Sequence, residues 1–443
     1  MVFHNPTVPT LQQMSFVLIA VKICTELEVM ALMKRYGHAS FLIPSKEIYT
    51  FLNKKILEYI PPRKTYGLII KESKFCFLEN DSISMYFSGN SCSPDPQLNE
   101  YRFTENNLPC VMWEELISRK ISCLALPNSL KSVLMSLMRC ICIEIYQWQK
   151  DHKDIFRFQL IDFQRYFCWN SEGKIDKVKT AKSLIDDESL CITDRYNLAR
   201  LYFFVSDVIC LWKELPPLFK DEVRDSDDQK VWFQYIEKRT DVNLNRICRT
   251  SLYNPFNLRA YFSLLTQNEK AEWFKFYLHR KSINYEDLCV CLSLLEKTEQ
   301  ELILKQYSSK ILQYYLVWPL QNEFLDVLKN IWPYMSIENY TNILYFIIYE
   351  RIMIGWKDCD YVDLLKELWR QTPNNFKELV KNYEIYRILL LILSYELENS
   401  FPNKAILENY KGRALKFHHI GRNYCIAKMT YQYGRYYFEN CII

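Results

Sequence analysis

Apolar residues return along the chain at i, i+3, i+4 and i+7, the spacing that places them on one side of an α-helix. The pattern runs through Leu130-Val133-Leu134-Leu137, Leu198-Leu201-Tyr202-Val205 and Val208-Leu211-Trp212-Leu215. It returns in Phe324-Val327-Leu328-Ile331 and Tyr361-Leu364-Leu365-Leu368, and a helical start covers Leu11 to Tyr36. Thr266 with Glu269, and Thr298 with Glu301, have the spacing of capping boxes, in which a hydroxyl and a carboxylate satisfy first-turn amides. Pro216, Pro319, Pro333 and Pro373 follow apolar runs, where the missing N–H ends a helix.

A tryptophan at a helix end with proline close behind is the most specific internal signal. Leu211-Trp212-Lys213-Glu214-Leu215-Pro216 and Leu368-Trp369-Arg370-Gln371-Thr372-Pro373 share one spacing, and Val317-Trp318-Pro319 and Ile331-Trp332-Pro333 are tighter versions. From Trp332 to Trp369 is 37 residues, and from Trp212 to Trp332 is 120, about three such steps. These periods suit helix pairs. The expected fold is therefore all-α, a degenerate helix-pair repeat array of superhelical, solenoid-like form, against an irregular helical domain with fortuitous echoes. Its divisions would be an N-terminal helical region (1–150), a helix-pair module (151–220), an acidic linker (221–230), the array (231–410) and a basic-aromatic segment (411–443). Between Tyr66 and Phe103 two β-leaning runs flank Asn80-Asp81, before the loop-like stretch Gly89 to Pro96. This reads as a long insertion or a short β-hairpin.

The stretch Asp194-Arg195-Tyr196-Asn197-Leu198-Ala199-Arg200-Leu201-Tyr202, with Asp207 to Trp212 and Leu215-Pro216, resembles large families of uncharacterised arachnid helical proteins. Trp318-Pro319 to Ile331-Trp332 fits the same pattern, so the resemblance spans roughly residues 151–382. It implies helical architecture and carries over no functional residue.

Composition agrees with helices. The 443 residues are 49% hydrophobic and 15% aromatic, enough for a large core, and include only 8 glycines. Glycine-poor chains lack the positive-φ positions of hairpins and phosphate loops. Net charge is +4, too balanced to imply nucleic acid or membrane by itself. Most of the 16 cysteines lie in apolar helical stretches, as in Arg139-Cys140-Ile141-Cys142 and Leu288-Cys289-Val290-Cys291, and read as core residues kept reduced. The run Phe16 to Val21 stops at Lys22, too short for a signal peptide. The longest later apolar run, Asn342 to Ile354, is broken by Glu350-Arg351, so a cytoplasmic protein without membrane spans is expected. The sequon Asn339-Tyr340-Thr341 lies in a helical pattern.

Catalytic spacings are missing. There is no Cys-x-x-Cys, His-Glu-x-x-His, Gly-x-Ser-x-Gly, Gly-x-Gly-x-x-Gly or Walker-type loop, and no metal or cofactor is expected. His418-His419 reads as a surface pair, and Asp186-Asp187-Glu188 as a helix boundary. The unusual stretch runs from Lys411 to Phe438, which holds no acid. Its candidates for nucleic-acid or anion contact are Arg413, Lys416, Arg422, Tyr424, Arg435 and Tyr436, cations beside rings suited to phosphates and bases. The same residues also suit a terminal cap whose tyrosines pack on the last helix pair. The leading function is a non-catalytic protein-interaction scaffold with exposed aromatics along a groove. A nucleic-acid binder and an enzyme without linear motifs are the alternatives, the last with His279, Cys248 and Asp287 among its candidates.

Overall fold

The computed structural model describes residues 10–36, 66–73, 109–152, 163–225, 265–280, 285–356, 358–396, 401–409, 415–419, 422–432 and 435–437. It also describes Phe41, Ile155, Trp232, Phe233, Ile236, Leu258, Phe262 and Ile283. Among these are seventeen α-helices. The first eight are α1 (Leu11–Cys24), α2 (Leu27–Tyr36), α3 (Pro109–Ser122), α4 (Asn128–Asp151), α5 (Lys177–Asp186), α6 (Ile192–Leu201), α7 (Val205–Glu214) and α8 (Pro217–Asp225). Next come α9 (Gln267–Arg280), α10 (Tyr285–Ser293), α11 (Lys297–Tyr314), α12 (Phe324–Ile331) and α13 (Ile337–Tyr345), which widens into a π-turn at Phe346–Ile352. The chain continues through α14 (Tyr361–Gln371), α15 (Asn374–Val380), α16 (Ile385–Leu393) and α17 (Asn403–Glu408). No described helix is long and apolar enough to cross a membrane.

Helix α4 is the hub of the N-terminal half. Residues 140–145 are all buried, so the helix is covered on every side there. α1 covers one face through Phe16, Val17, Ala20 and Cys24, and α3 another through Trp113, Ile117 and Ile121. Burying Leu134, Ile141 and Ile145 contributes about 1.5–3 kcal/mol each. Glu144 and His152, caught inside, find partners. Glu144 accepts from the Ile175 amide at 3.3 Å and lies 3.6 Å from the Lys174 ammonium. The His152 ring nitrogens lie 2.7 Å from the Trp148 carbonyl and 2.9 Å from the Tyr202 hydroxyl, with the imidazole stacked on the Trp148 indole. The tight turn at residues 169–175 closes over α4. Asn170 Oδ1 accepts from the Glu172 and Lys174 amides at 3.0 and 2.9 Å, and Gly173 takes φ +78°.

The tryptophan–proline signal marks two junctions of matching geometry. At α7–α8, Lys220 Nζ lies 5.6 Å from the Trp212 ring centre and donates to the Lys213 carbonyl at 3.3 Å. At α14–α15, Lys377 Nζ lies 5.7 Å from the Trp369 ring centre and donates to the Arg370 carbonyl at 3.4 Å. In each, an extended residue (Leu215, Thr372) ends one helix and proline leads into the next. The incoming phenylalanine meets a buried tyrosine edge-on, Phe219 with Tyr196 and Phe376 with Tyr340. The ammonium over the indole and on the carbonyl adds cation–π attraction and fills the acceptor that the helix end leaves open.

Some expectations need correction. Thr266 and Glu269 form the capping box, with the Thr266 amide donating to Glu269 Oε2 at 3.0 Å and the Glu269 amide to Thr266 Oγ1 at 3.4 Å. Thr298 and Glu301 do not: α11 starts at Lys297 with Glu296 at its cap, so Thr298 is already helical. Within the acidic run, Asp221 to Asp225 form the end of α8 rather than a linker, because Val223 is buried on that helix. The rest of the linker stretch lies outside the described residues. The sequon asparagine Asn339 bridges α13 and α11, accepting from Ser309 Oγ at 2.7 Å and donating to the Lys305 carbonyl at 3.3 Å.

Among the described residues of 10–36 and 109–409 the named elements are helices. Strands lie toward the two ends of the chain: β1 (Tyr66–Ser73), β2 (Leu415–His419), β3 (Arg422–Gln432) and β4 (Arg435–Tyr437). β3 is central, with β1, β2 and β4 antiparallel to it. The described partner of β1 is β3, and the rest of the hairpin expected near 65–105 lies outside the described residues. The pairing runs from Tyr66 with Thr430 through to Ser73 with Asn423, a long-range register.

Gly173→Ala tests the turn over α4. A Cβ there would lie 2.8 Å from Ile141 Cδ1, on a backbone conformation that alanine disfavours. The expected loss is about 1–3 kcal/mol of unfolding free energy by chemical denaturation; an unchanged midpoint would contradict this packing.

Candidate functional site

A grouping of buried and half-buried ionisable and polar side chains lies where the π-turn meets α14. Gly355, at φ +79°, turns the chain out of the π-turn toward Asp358, and Asp360 caps α14 by accepting from the Asp363 amide at 3.0 Å. Arg351 is only 1% exposed. Its Nε donates to the Leu316 carbonyl at 2.9 Å and Nη1 to the Glu350 carbonyl at 2.8 Å, while the guanidinium lies 4.4 Å from the Phe346 ring centre. Asp358 Oδ2 accepts from Gln321 Nε2 at 2.6 Å, and Oδ1 from the Tyr361 hydroxyl at 3.1 Å. The Tyr361 hydroxyl also lies 2.9 Å from the Leu316 carbonyl.

Helix α4 reaches this grouping through Arg139. Its guanidinium lies 5.7 Å from the Trp113 ring centre and 5.9 Å from that of Trp356, and it pairs with Glu114. A second tie joins the same halves: Trp318 Nε1 donates to the Glu172 carbonyl at 2.8 Å. Burial raises the Asp358 carboxyl above its ordinary range, opposed by Arg351, Tyr361 and Arg139. Burial also lifts the neighbouring Cys359 thiol to about 12, with Asp358 adding to the shift, so the thiolate needed of a nucleophile is suppressed. The arrangement is a polar lock. Its acceptors are spent on internal donors, and it ties α4, the Leu316 carbonyl and α14 to the π-turn.

The candidates for nucleic-acid or anion contact fall elsewhere. Arg413 lies outside the described residues, while Lys416 is on β2, Arg422 and Tyr424 on β3, and Arg435 and Tyr436 on β4. Directly paired residues share a sheet face, and successive residues alternate. The registers Phe417–Tyr424, His419–Arg422 and Gln432–Arg435 put Arg422, Tyr424 and Arg435 on one face. Lys416, opposite Cys425, and Tyr436, opposite Tyr431, fall on the other. The sheet thus divides the set. His418 and His419 are successive strand residues, not helical ones, and also fall on opposite faces.

Asp287 is buried on α10, and the Cys248 and His279 side chains lie outside the described ones. Asp187 ends α5 as a structural acceptor. Hydrogen bonds from Ser189, and then from Tyr166, hold its carboxyl down to about 2. An open depression of about 720 Å³ borders Val111, Glu114, Glu115, Ser118 and Arg119 on one face of α3. Among the described residues no group of histidine, cysteine and carboxylate side chains is placed to hold a metal ion. Comparison with protein-family models, curated proteins and solved structures gives no match.

The lock was not legible in sequence. Glu350-Arg351 reads as an interruption of an apolar run, whereas the π-turn carries Arg351 inward. A charged residue inside an otherwise buried helical run, four residues before a glycine, was the available signal.

A raised carboxyl pKa means that folding favours the neutral acid, so its stabilisation is lost as pH rises through the folded value. Asp358→Asn removes that loss. The melting temperature of the variant, minus that of the native chain, should therefore rise from about pH 4 to pH 7. A difference that is flat or falls with pH would contradict the desolvated placement of the Asp358 carboxyl.

Proposed function

We propose that the chain is a non-catalytic protein-interaction scaffold of stacked helix pairs, with a protein as its partner. The observation that carries this reading is the outer side of α1. Leu11 is 80% exposed and Leu18, two turns on, 70%; Leu27, opening α2, is 89% exposed. The opposite side of α1 is already committed to α4 through Phe16, Val17, Ala20 and Cys24. Large leucines left this exposed on the free side of a packed helix mark an interaction surface. Its partner is a protein face whose aliphatic and aromatic side chains meet these three leucines, with the exposed Lys22, Glu26 and Glu28 beside them.

The form of this surface differs from the expectation of an aromatic groove. All ten tryptophans are buried or half-buried, and among the described side chains Tyr345 alone of the aromatic residues is exposed. The rings are consumed by helix packing, as at the two tryptophan junctions. Leucines take their place as anchors. The resemblance to uncharacterised arachnid proteins supports the stacked architecture of the proposal and none of its contact residues.

The test is affinity capture from the native tissue with the full chain, beside a Leu11→Asp/Leu18→Asp/Leu27→Asp variant of matched melting temperature. A partner held by the native chain and weakened at least about tenfold by the variant is expected. Equal retention by both would overturn the reading.

A further inference from the structure

We infer that Cys24 and Cys142 form a redox-sensitive staple, a dithiol that closes to a disulfide joining α1 to α4. The inference is independent of the scaffold reading. Its basis is placement. Cys24 ends α1 and directs its thiol at α4, where Sγ donates to the Met138 carbonyl at 3.4 Å. In an α-helix that carbonyl belongs to the turn directly below residue 142, because residues i and i+4 share one face. The Cys24 and Cys142 thiols accordingly interact with each other. Both side chains are completely buried, and Ala20, one turn before Cys24 and equally buried, lets the two helices approach closely. Cys140 is also buried, but two positions along a helix turn it to a different face.

The expectation that such cysteines stay reduced in a reducing compartment is compatible with this arrangement. It describes the open, dithiol form. Closure needs an oxidant, and a low-molecular-weight disulfide such as oxidised glutathione supplies it. One cysteine thiolate attacks that disulfide and releases a first reduced thiol. The second cysteine thiolate then attacks the protein-bound sulfur of the mixed disulfide and releases another. Two protein S–H bonds are lost and one S–S bond forms, two electrons pass to the oxidant, and the two protons end on the released thiols. Burial puts both thiols out of reach and raises the Cys24 thiol well above its ordinary range, so exchange requires α1 to lift from α4. The exposed Cys123, Cys191 and Cys210 have no such barrier and report general reactivity. Once closed, the bond encloses a loop of about 120 residues, a size at which a cross-link strongly restricts the unfolded chain.

The test equilibrates the full chain in glutathione buffers from reducing to oxidising, with a parallel sample refolded under the oxidising condition. Remaining thiols are alkylated and the peptides mapped without reduction. The expected result is a linked peptide pair containing Cys24 and Cys142, two hydrogens lighter than the separate peptides. It should form more slowly than mixed disulfides at Cys123, Cys191 and Cys210. The melting temperature should rise by about 5 °C relative to the reduced chain. Cys142→Ala abolishes the link, whereas Cys210→Ser leaves it intact. Recovery of Cys24 and Cys142 as separately alkylated peptides in both oxidised samples would overturn the inference, as would linkage of Cys24 to Cys140 instead.

Discussion

Burial of α4 on every side is the constraint from which the rest of the structure follows. A helix with residues 140–145 all removed from water needs neighbours around its whole circumference. Near-sequence elements supply two of them, α1 and α3. The turn at residues 169–175 supplies a third, with Gly173 seated against Ile141. The remaining side is reached by Trp356, from more than two hundred residues along the chain, through the Arg139 guanidinium. The two halves of the protein are therefore bound into one core, not merely stacked as neighbours.

The polar groups inside that core explain its specificity. Apolar faces would tolerate several registers of one helix on another, but a buried guanidinium or carboxyl tolerates few. Arg351 is held by two main-chain carbonyls, and Asp358 by Gln321 and Tyr361. Removing one member would strand another without a partner, at a cost of the order of 1–3 kcal/mol. The tryptophan junctions are a milder form of the same device. There a lysine satisfies a helix-terminal carbonyl while its charge rests beside an indole ring. With the rings spent in this way, most of the exposed large apolar side chains among the described residues are leucines.

What was legible in sequence was what short-range physics determines. The stripes at i, i+3, i+4 and i+7 located α4, α7, α12 and α14, and proline spacing located the ends of α7 and α14. The stripe from Leu198 to Val205 instead runs across a break between α6 and α7, where Phe203 takes φ +59°. The box at Thr266 was recovered. The one at Thr298 failed because the same letters recur inside a helix, where only the position of the first turn decides which hydroxyl is a cap. The pairing of β1 with β3 was not legible, since residues 66–73 carry no local mark of a partner more than three hundred residues away. Nor was the lock at Arg351, because a charge in an apolar run reads as exposure until the π-turn shows where it goes. The C-terminal candidates were chosen as a linear cluster, and strand alternation then separated Arg422, Tyr424 and Arg435 from Lys416 and Tyr436.

Hydrogen exchange of the intact chain, followed by mass spectrometry, tests the single shared core most directly. If α4 is the hub, peptides covering residues 140–148 exchange at the slowest rate in the protein. They should match peptides covering 311–317 and 343–348, and all three should gain deuterium together as denaturant is added. Exchange of 140–148 well ahead of the other two, with a separate denaturant dependence, would show that the two halves unfold independently and would contradict the account.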